Sequence, residues 1–386
     1  MNGNNRMTNT NHSKLPPSSA ARRMACPGSR AMEERYGRND ESEASQEGTL
    51  AHECAAHYLK NSTSPTFSEN ISIRWLQEMI DGAKDYAETV TRFITFDNLH
   101  VEERVNCDNI HPDMWGTPDA WGLSYSGDGI TNLTVELHVF DYKFGHTPID
   151  AFENWQLIAY ACGIVKDHPE ISGFYLHIIQ PRDYISLSRH KVWHLNGREF
   201  QDYKQRLINS EYEAMSLHPV LKVSDQCKYC KARSACPALR NAAFGATETA
   251  YRDIPQGVEP KFVGNELKLL QDAQELLGYR IKALETEVQH LLQAGVNVDY
   301  YELKPIEGRM TWKIPASDVI DLGLLDGVNL AKEPDVITPA QAIKAGVKQE
   351  TVLKYTDRKQ SLKLSRTDVK NARAVFAKPK QTKQDN

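Results

Sequence analysis

The stretch from Leu133 to Lys143 constrains this chain more than any other. Leu133, Val135, Leu137 and Val139 fall two apart, and Asp141 and Lys143 continue the alternation. Residues two apart share one face of a β-strand, so the pattern predicts a strand over 133–144. Its apolar stripe ends in an acid and a base, which marks a place where a core opens into a cleft. Strand-like sequence extends from 100 to 145, broken at Asp108-Asn109 and at Ser126-Gly127-Asp128-Gly129. On the N-terminal side, Ile73, Leu76, Ile80, Ala83, Ala87, Val90 and Ile94 recur at helical spacing over 71–96. On the C-terminal side a helix is expected over 149–166, with Phe152, Trp155, Ala159 and Cys162 on one side. Strands over 173–180 and 189–195 and a helix over 198–215 follow. This order predicts an α/β or α+β fold, a mixed central sheet flanked by helices.

The remaining segments suggest an organisation. The Asn-, Ser- and Thr-rich residues 1–17 are expected to be disordered. Ser18-Ser19 can cap a helix carrying Ala20, Met24 and Cys26, interrupted by Pro27-Gly28. Polar residues 38–48 read as a mobile loop, and Gly48-Thr49 as the start of a helix to about Lys60. A first domain is expected over 18–240 and a linker over 241–262. A helical and hairpin region follows over 263–354. Leu270, Leu277, Leu284 and Leu291 recur every seven residues, with Leu267, Ile281 and Val288 on the alternate seam and Gln274 breaking it. Such a helix either packs on its own domain or pairs with a second copy through 267–291. A short hairpin is expected at 300–314 around Glu307-Gly308, and a small helix from Thr338-Pro339. The tail over 355–386 holds nine Lys or Arg and three Asp, a local charge of +6. It reads as a solvated segment or a phosphate-binding arm.

Bulk properties exclude rather than select. A net charge of −5 over 386 residues gives no global sign of nucleic acid, although a nuclease can confine its positive charge to a groove. No apolar run approaches the roughly 18 residues of a membrane span. The polar N-terminus lacks the apolar core of a secretory signal, so a cytoplasmic location without a membrane partner is expected. Seven cysteines, an odd number, argue against a disulfide framework and turn attention to metal.

The polar residues at the strand ends fit one chemistry. Hydrolysing a phosphodiester requires deprotonating a water, stabilising developing negative charge and neutralising the leaving oxygen. Mg²⁺ or Mn²⁺ can serve all three needs when held by a few oxygen ligands. Asp119, closing Trp115-Gly-Thr-Pro-Asp119, and Asp141 are suitable ligands, and the Tyr142 carbonyl can add another. His52 is a further ligand, and its nitrogen favours Mn²⁺. Glu53 and Glu103 are weaker candidates. Lys143 reaches the same cleft and can orient water or stabilise the phosphate. Gln156 and Tyr160, four apart on one helix face, can bind phosphate or hold the lysine. No Gly-x-x-x-x-Gly-Lys-[Ser/Thr] occurs, so an ATP-driven motor would be a separate protein. Cys227-x-x-Cys230-x(5)-Cys236 places three thiols close in sequence, and Cys26 offers a fourth. Four thiolates can hold either Zn²⁺ or a [4Fe–4S] cluster. Cys54, Cys107 and Cys162 lack ligand spacing and read as small core residues.

In this order, Gly48-x-x-x-His52, Gly116-x-Pro118-Asp119, Asp141-Tyr142-Lys143 and Gln156-Leu-Ile-Ala-Tyr160, the chain resembles the PD-(D/E)xK nuclease superfamily. The likeness covers roughly residues 18–240 and is nearest to RecB-type and CRISPR-associated iron–sulfur exonucleases, including a phage and prophage group. It implies a restriction-endonuclease-like fold with metal at His52, Asp119, Asp141 and Tyr142, and catalysis by Asp119, Asp141, Lys143, Gln156 and Tyr160. It further implies a [4Fe–4S] cluster on Cys26, Cys227, Cys230 and Cys236. The expected activity is a Mg²⁺- or Mn²⁺-dependent DNA exonuclease in phage or prophage recombination. Its partners would be DNA and an annealing protein or helicase, in a bacterial host cell. The competing readings are a non-catalytic nucleic-acid-binding module of the same fold and a zinc-stapled assembly protein.

Overall fold

The computed structural model describes residues 13–38, 43–63, 65, 73–127, 133–250, 260–332 and 335–366. The chain divides into two compact units, Met1–Arg280 and Ile281–Asn386. The first is the mixed α/β unit that the sequence pattern predicts. It begins with α1 (Ala20–Ala25), α2 (Ser29–Tyr36), α3 (Glu43–Asn61) and α4 (Ile73–Thr91). Strands β1 (Leu99–Val101), β2 (Val105–Asn106), β3 (Trp115–Gly116), β4 (Ala120–Ser126) and β5 (Thr134–Tyr142) follow. Then come α5 (Trp155–Asp167), β6 (Ile171–Ile179), β7 (His190–Asn196), α6 (Gly197–Ala214) and α7 (Pro237–Ala250). The long helix α8 (Pro260–Gln293) contains the division between the units.

The sheet runs β1-β4-β5-β6-β7. All neighbours are antiparallel except β5 and β6, which are parallel and need a crossover, supplied by α5. Val135, Leu137 and Val139 face one core with Leu157, Ile158 and Ala161 of α5. Phe140 and Tyr142 face the other, with Ala51, Cys54, Met79 and Ala83 of α3 and α4. Helices thus cover both faces of β5, which is why its second face is buried as well. Asn154 caps α5 by accepting hydrogen bonds from the Gln156 and Leu157 amides, and this cap fixes where the helix begins.

Several boundaries differ from the expected ones. Leu133 precedes β5 and is exposed, because pairing with β4 begins only at Thr134. Lys143 lies one residue beyond the strand. Gly48 sits inside α3, which starts at Glu43, so 43–48 is helical rather than a loop. Phe152 stands outside α5 and is exposed. α4 ends at Thr91, and Ile94 buries itself beyond it. Leu15 is fully buried, and the Ser13 hydroxyl donates to the Asp113 carbonyl, so order begins before residue 17. Residues 1–12 lie outside the described residues. α7 occupies most of the described part of the expected 241–262 linker, and 251–259 lies outside the described residues.

The second unit contains β8 (Tyr301–Trp312), α9 (Ala316–Leu325), β9 (Ala331–Lys332), β10 (Asp335–Val336), α10 (Pro339–Lys344), α11 (Gln349–Lys354) and β11 (Thr356–Arg366). Val319, Leu330, Ala342, Val347 and Val352 form its core. The expected hairpin at 300–314 is instead one strand, whose partner is β11. The 355–386 segment therefore opens as a strand, and 367–386 lies outside the described residues. α8 ends as Gly295 predicts. Gly295 adopts φ +80°, its amide donates to Leu292, and Val296 donates to Leu291.

Candidate active site and cysteine cavity

The register that pairs Ala120 with Phe140 sets the residue before β4 beside the end of β5. This is how Asp119 meets Asp141, although Asp119 lies in a bend rather than on a strand. Its segment approaches α5 closely. The Tyr160 hydroxyl donates to the Thr117 carbonyl at 3.0 Å. A Cβ on Gly116 would sit 2.8 Å from Pro17 Cδ and 3.0 Å from Tyr160 Cε1, so glycine is required there. Tyr160 acts on the backbone before Asp119, whereas Gln156 reaches Asp141 and Lys143.

The Tyr142 amide donates to Asp119 Oδ2 at 2.6 Å, and His52 Nδ1 lies 3.0 Å from Asp119 Oδ1. Lys143 Nζ stands 3.0 Å from Asp141 Oδ1 and 2.8 Å from Oδ2. Gln156 Nε2 donates to Asp141 Oδ1 at 2.9 Å, while its Oε1 accepts from Lys143 at 3.4 Å. The Lys143 amide donates to the Ile179 carbonyl, which anchors the lysine's backbone to β6. Asp119, Asp141, Lys143, His52 and Gln156 are thus brought together. At Tyr142 the group seen on Asp119 is the amide.

One residue of the site escaped the sequence reading. Glu102, not Glu103, joins His52 and Asp119, and ligand atoms of these three lie within 4.8 Å of one another. Glu102 takes a left-handed φ of +54° just after β1, and its amide donates to the Asp119 carbonyl. Glu103 instead pairs with His100 at 2.8 Å. Gly48, His52, Glu53, Glu102 and Asp119 line an open cleft of about 750 Å³.

Burial opposes charge throughout the site. At Asp119 the burial cost is outweighed by the charge and hydrogen bond of His52, with help from Lys143 and the Tyr142 amide, and its carboxyl is held below the usual range. At Asp141 burial prevails over Lys143, the Asp119 charge adds to it, and the carboxyl is pushed up. Burial and then the Asp119 charge raise Glu102 to about 7. Burial lowers His52 and Lys143, but the neighbouring carboxylates outweigh it and raise both. Three carboxyl groups thus crowd one lysine and one histidine. A divalent cation would relieve that crowding.

Cys26, Cys227, Cys230 and Cys236 line a single cavity. Several bonds bring Cys26 there. Its sulfur accepts the Lys222 amide at 3.3 Å, and the Gly28 amide donates to Val220. Arg22 reaches the Tyr229 carbonyl, and Glu33 takes the Lys231 amide and the Arg22 guanidinium. Deeper, Arg23 and Glu211 form a buried ion pair between α1 and α6, at 2.5 and 2.9 Å. Burial pushes the Cys230 thiol up to about 12. A thiol held so high is a poor nucleophile, and it would become a metal ligand only by giving up its proton to the field of a bound cation. Cys54, Cys107 and Cys162 are buried in the two cores.

A mixed sheet with helices on both faces, two aspartates and a lysine at adjoining strand ends, and four cysteines around one cavity are what the first unit brings together. Residues 12–349 match the family described as "Protein of unknown function (DUF2800)". The chain belongs to that family. Among the described residues, no helix is long and apolar enough to cross a membrane.

Proposed function

We propose that the chain is a Mg²⁺- or Mn²⁺-dependent deoxyribonuclease of the PD-(D/E)xK type, acting as an exonuclease in phage or prophage DNA processing in the host cytoplasm. The observation that carries this reading is the meeting of Asp119, Asp141 and Lys143 at adjoining strand ends, with His52 and Gln156 in hydrogen-bond reach. The donor set fits a hard divalent ion with one nitrogen ligand. Asp141 Oδ2 is buried and accepts no well-directed hydrogen bond, although Lys143 Nζ stands 2.8 Å away. It keeps acceptor capacity for a cation. His52, Glu102, Asp119 and Asp141 would hold the ion. When bound, it would supply a deprotonated water and charge stabilisation.

The protein's own groups complete the chemistry. The Tyr142 amide fixes the Asp119 carboxylate, leaving Oδ1 toward His52. Gln156 holds both Asp141 and Lys143, so the ammonium keeps one position while phosphate enters. Lys143 then places a fixed positive charge where the phosphate gains negative charge. The test is end-labelled DNA incubated with Mn²⁺. Wild type should release nucleotides, and Lys143→Ala should lose about 10²–10³-fold in rate. Digestion by the variant at the wild-type rate would end the assignment.

For the cysteine cavity we infer a [4Fe–4S] cluster rather than zinc. Tetrahedral zinc, with Zn–S of about 2.3 Å, requires sulfurs roughly 3.8 Å apart. Among the described residues, the triad that comes within 4.8 Å is His52, Glu102 and Asp119, and no three of these sulfurs do so. The wider ring of thiols suits a larger inorganic core. Iron and acid-labile sulfide in anaerobically purified protein support this reading, and stoichiometric zinc without iron removes it.

A further inference from the structure

We propose that the β6–β7 loop, 181–189, holds the unpaired bases of a single-stranded DNA end beside Lys143. The proposal rests on the nuclease reading and names the form of its substrate. The loop leaves the sheet at Gln180, one residue after the Ile179 carbonyl that accepts the Lys143 amide. The root of this loop therefore lies beside the backbone of Lys143.

The loop is held firmly by buried polar groups. Gln180, 1% exposed, donates to the Gly145 and Thr147 carbonyls and accepts the Ile149 amide, tying the loop's root to the segment after Lys143. The Asp183 carboxylate accepts the Ile185 and Ser186 amides and the Lys191 ammonium. Lys191 also donates to the Ile149 carbonyl. These bonds order the backbone, yet the side chains they present are apolar. Tyr184, Ile185 and Leu187 are 67%, 79% and 110% exposed, and Phe152 from the neighbouring turn is 61% exposed. Large apolar groups on a fixed loop gain nothing in the free protein and are rewarded only when covered.

Charge selects the occupant. The loop's one acid, Asp183, is buried and neutralised by Lys191. Arg189 sets its guanidinium 5.4 Å from the Tyr184 ring centre, and the His146 ring lies 6.1 Å from the same ring. An aromatic face with a cation beside it suits a base stacked above and a phosphate alongside. The apolar side chains suit unstacked bases and gain little from a duplex, whose bases are already covered.

The test measures binding by the full chain in EDTA, where no metal supports cleavage. The probes are fluorescein-labelled oligo(dT) and a blunt duplex of the same length, read by anisotropy. Tyr184→Ala/Leu187→Ser should weaken oligo(dT) binding roughly tenfold and leave duplex binding unchanged. Thermal unfolding should stay unchanged, because both side chains are exposed. Arg189→Ala should weaken both probes and reduce the salt slope by about one. Oligo(dT) affinity equal to wild type in the double variant overturns the proposal. If that variant instead loses self-association on gel filtration, the patch is a contact between copies, and the proposal is likewise overturned. Unchanged binding by the double variant, with Mn²⁺-dependent cleavage intact in wild type, removes the loop alone. Loop-dependent oligo(dT) binding by a chain that never cuts DNA removes the nuclease reading alone.

Discussion

The acidic site and the cysteine cavity are built in opposite ways. Asp119, Asp141 and Lys143 come from strand ends that adjoin in one sheet, so the sheet's hydrogen bonds place them. Cys26 must be carried to Cys227, Cys230 and Cys236 across some two hundred residues of chain. Long-range bonds to α6 and to residues 220–231 hold it there. Closing so long a loop costs entropy that grows only slowly with length, and the metal–thiolate bonding proposed above would offset it. The first site is therefore a product of the fold, and the second would contribute to it. Damage to each should appear in a different measurement.

The largest expected contrast is between Asp141→Asn and Cys26→Ser. The first should abolish Mn²⁺-dependent DNA cleavage while the melting temperature holds. The second should lose iron and lower the melting temperature. A Cys26→Ser protein with full iron content and an unchanged melting curve would break the comparison. Next is the buried ion pair behind the cavity. Glu211→Ala leaves Arg23 charged and unpaired at 2% exposure and should cost about 3–5 kcal/mol in urea unfolding. A loss under about 1 kcal/mol, the range of a surface pair, would show that α1 is held without this pair.

A third prediction concerns acid, and it separates the sheet from both sites. Ser124, His138, His177 and His190 form a hydrogen-bonded row across β4, β5, β6 and β7, at 3.1, 3.0 and 2.9 Å. Burial lowers His138 to about 4. Burial, and then the charges of His138 and His190, lower His177 to about 2. Burial also lowers His190, and Arg92 adds to it. A histidine depressed in the folded state stays neutral while the unfolded chain takes up protons below about pH 6.5. Stability from this row is complete above that pH and is lost as pH falls toward 4. The urea midpoint should drop between pH 7 and pH 5, and His177→Phe should flatten the slope. An equal slope in wild type and variant would remove the row as the cause. The smallest effect is at the α5 cap, where Asn154→Ala should cost about 1 kcal/mol. It should also reduce cleavage by loosening Gln156, whereas a stability loss with unchanged rate would confine the cap to folding.

The sequence made parts of this architecture legible and hid others for physical reasons. The two-residue alternation of β5 announced both the strand and the pair that ends it. Helical spacing marked α4, and Gly295 marked the end of α8. The partnership of β8 with β11 was hidden because some forty residues and three helices separate them, and each strand alternates apolar with polar over only a few residues. Gly48 looked like a boundary, yet α3 runs through it. Glu102 and Glu103 are indistinguishable in sequence. The left-handed turn at Glu102 decides which one meets Asp119. The histidine row was invisible because each member sits alone on its own strand. The link from Cys26 to the later cysteines came from resemblance and could not come from local pattern.

The Arg23–Glu211 pair also sets an order in time. The two residues are 188 positions apart, so on a ribosome adding about 5–20 residues per second the arginine waits roughly 10–40 s for its partner. Cys26 waits longer still for the last of its companions. Helix α1 therefore completes this ion pair only once α6 has been made, and any metal that joins the four thiols arrives only after the sheet has been synthesised. A ribosome that stalls before Glu211 leaves a nascent chain in which Arg23 and Cys26 both lack their later partners, a form that quality-control proteases can recognise.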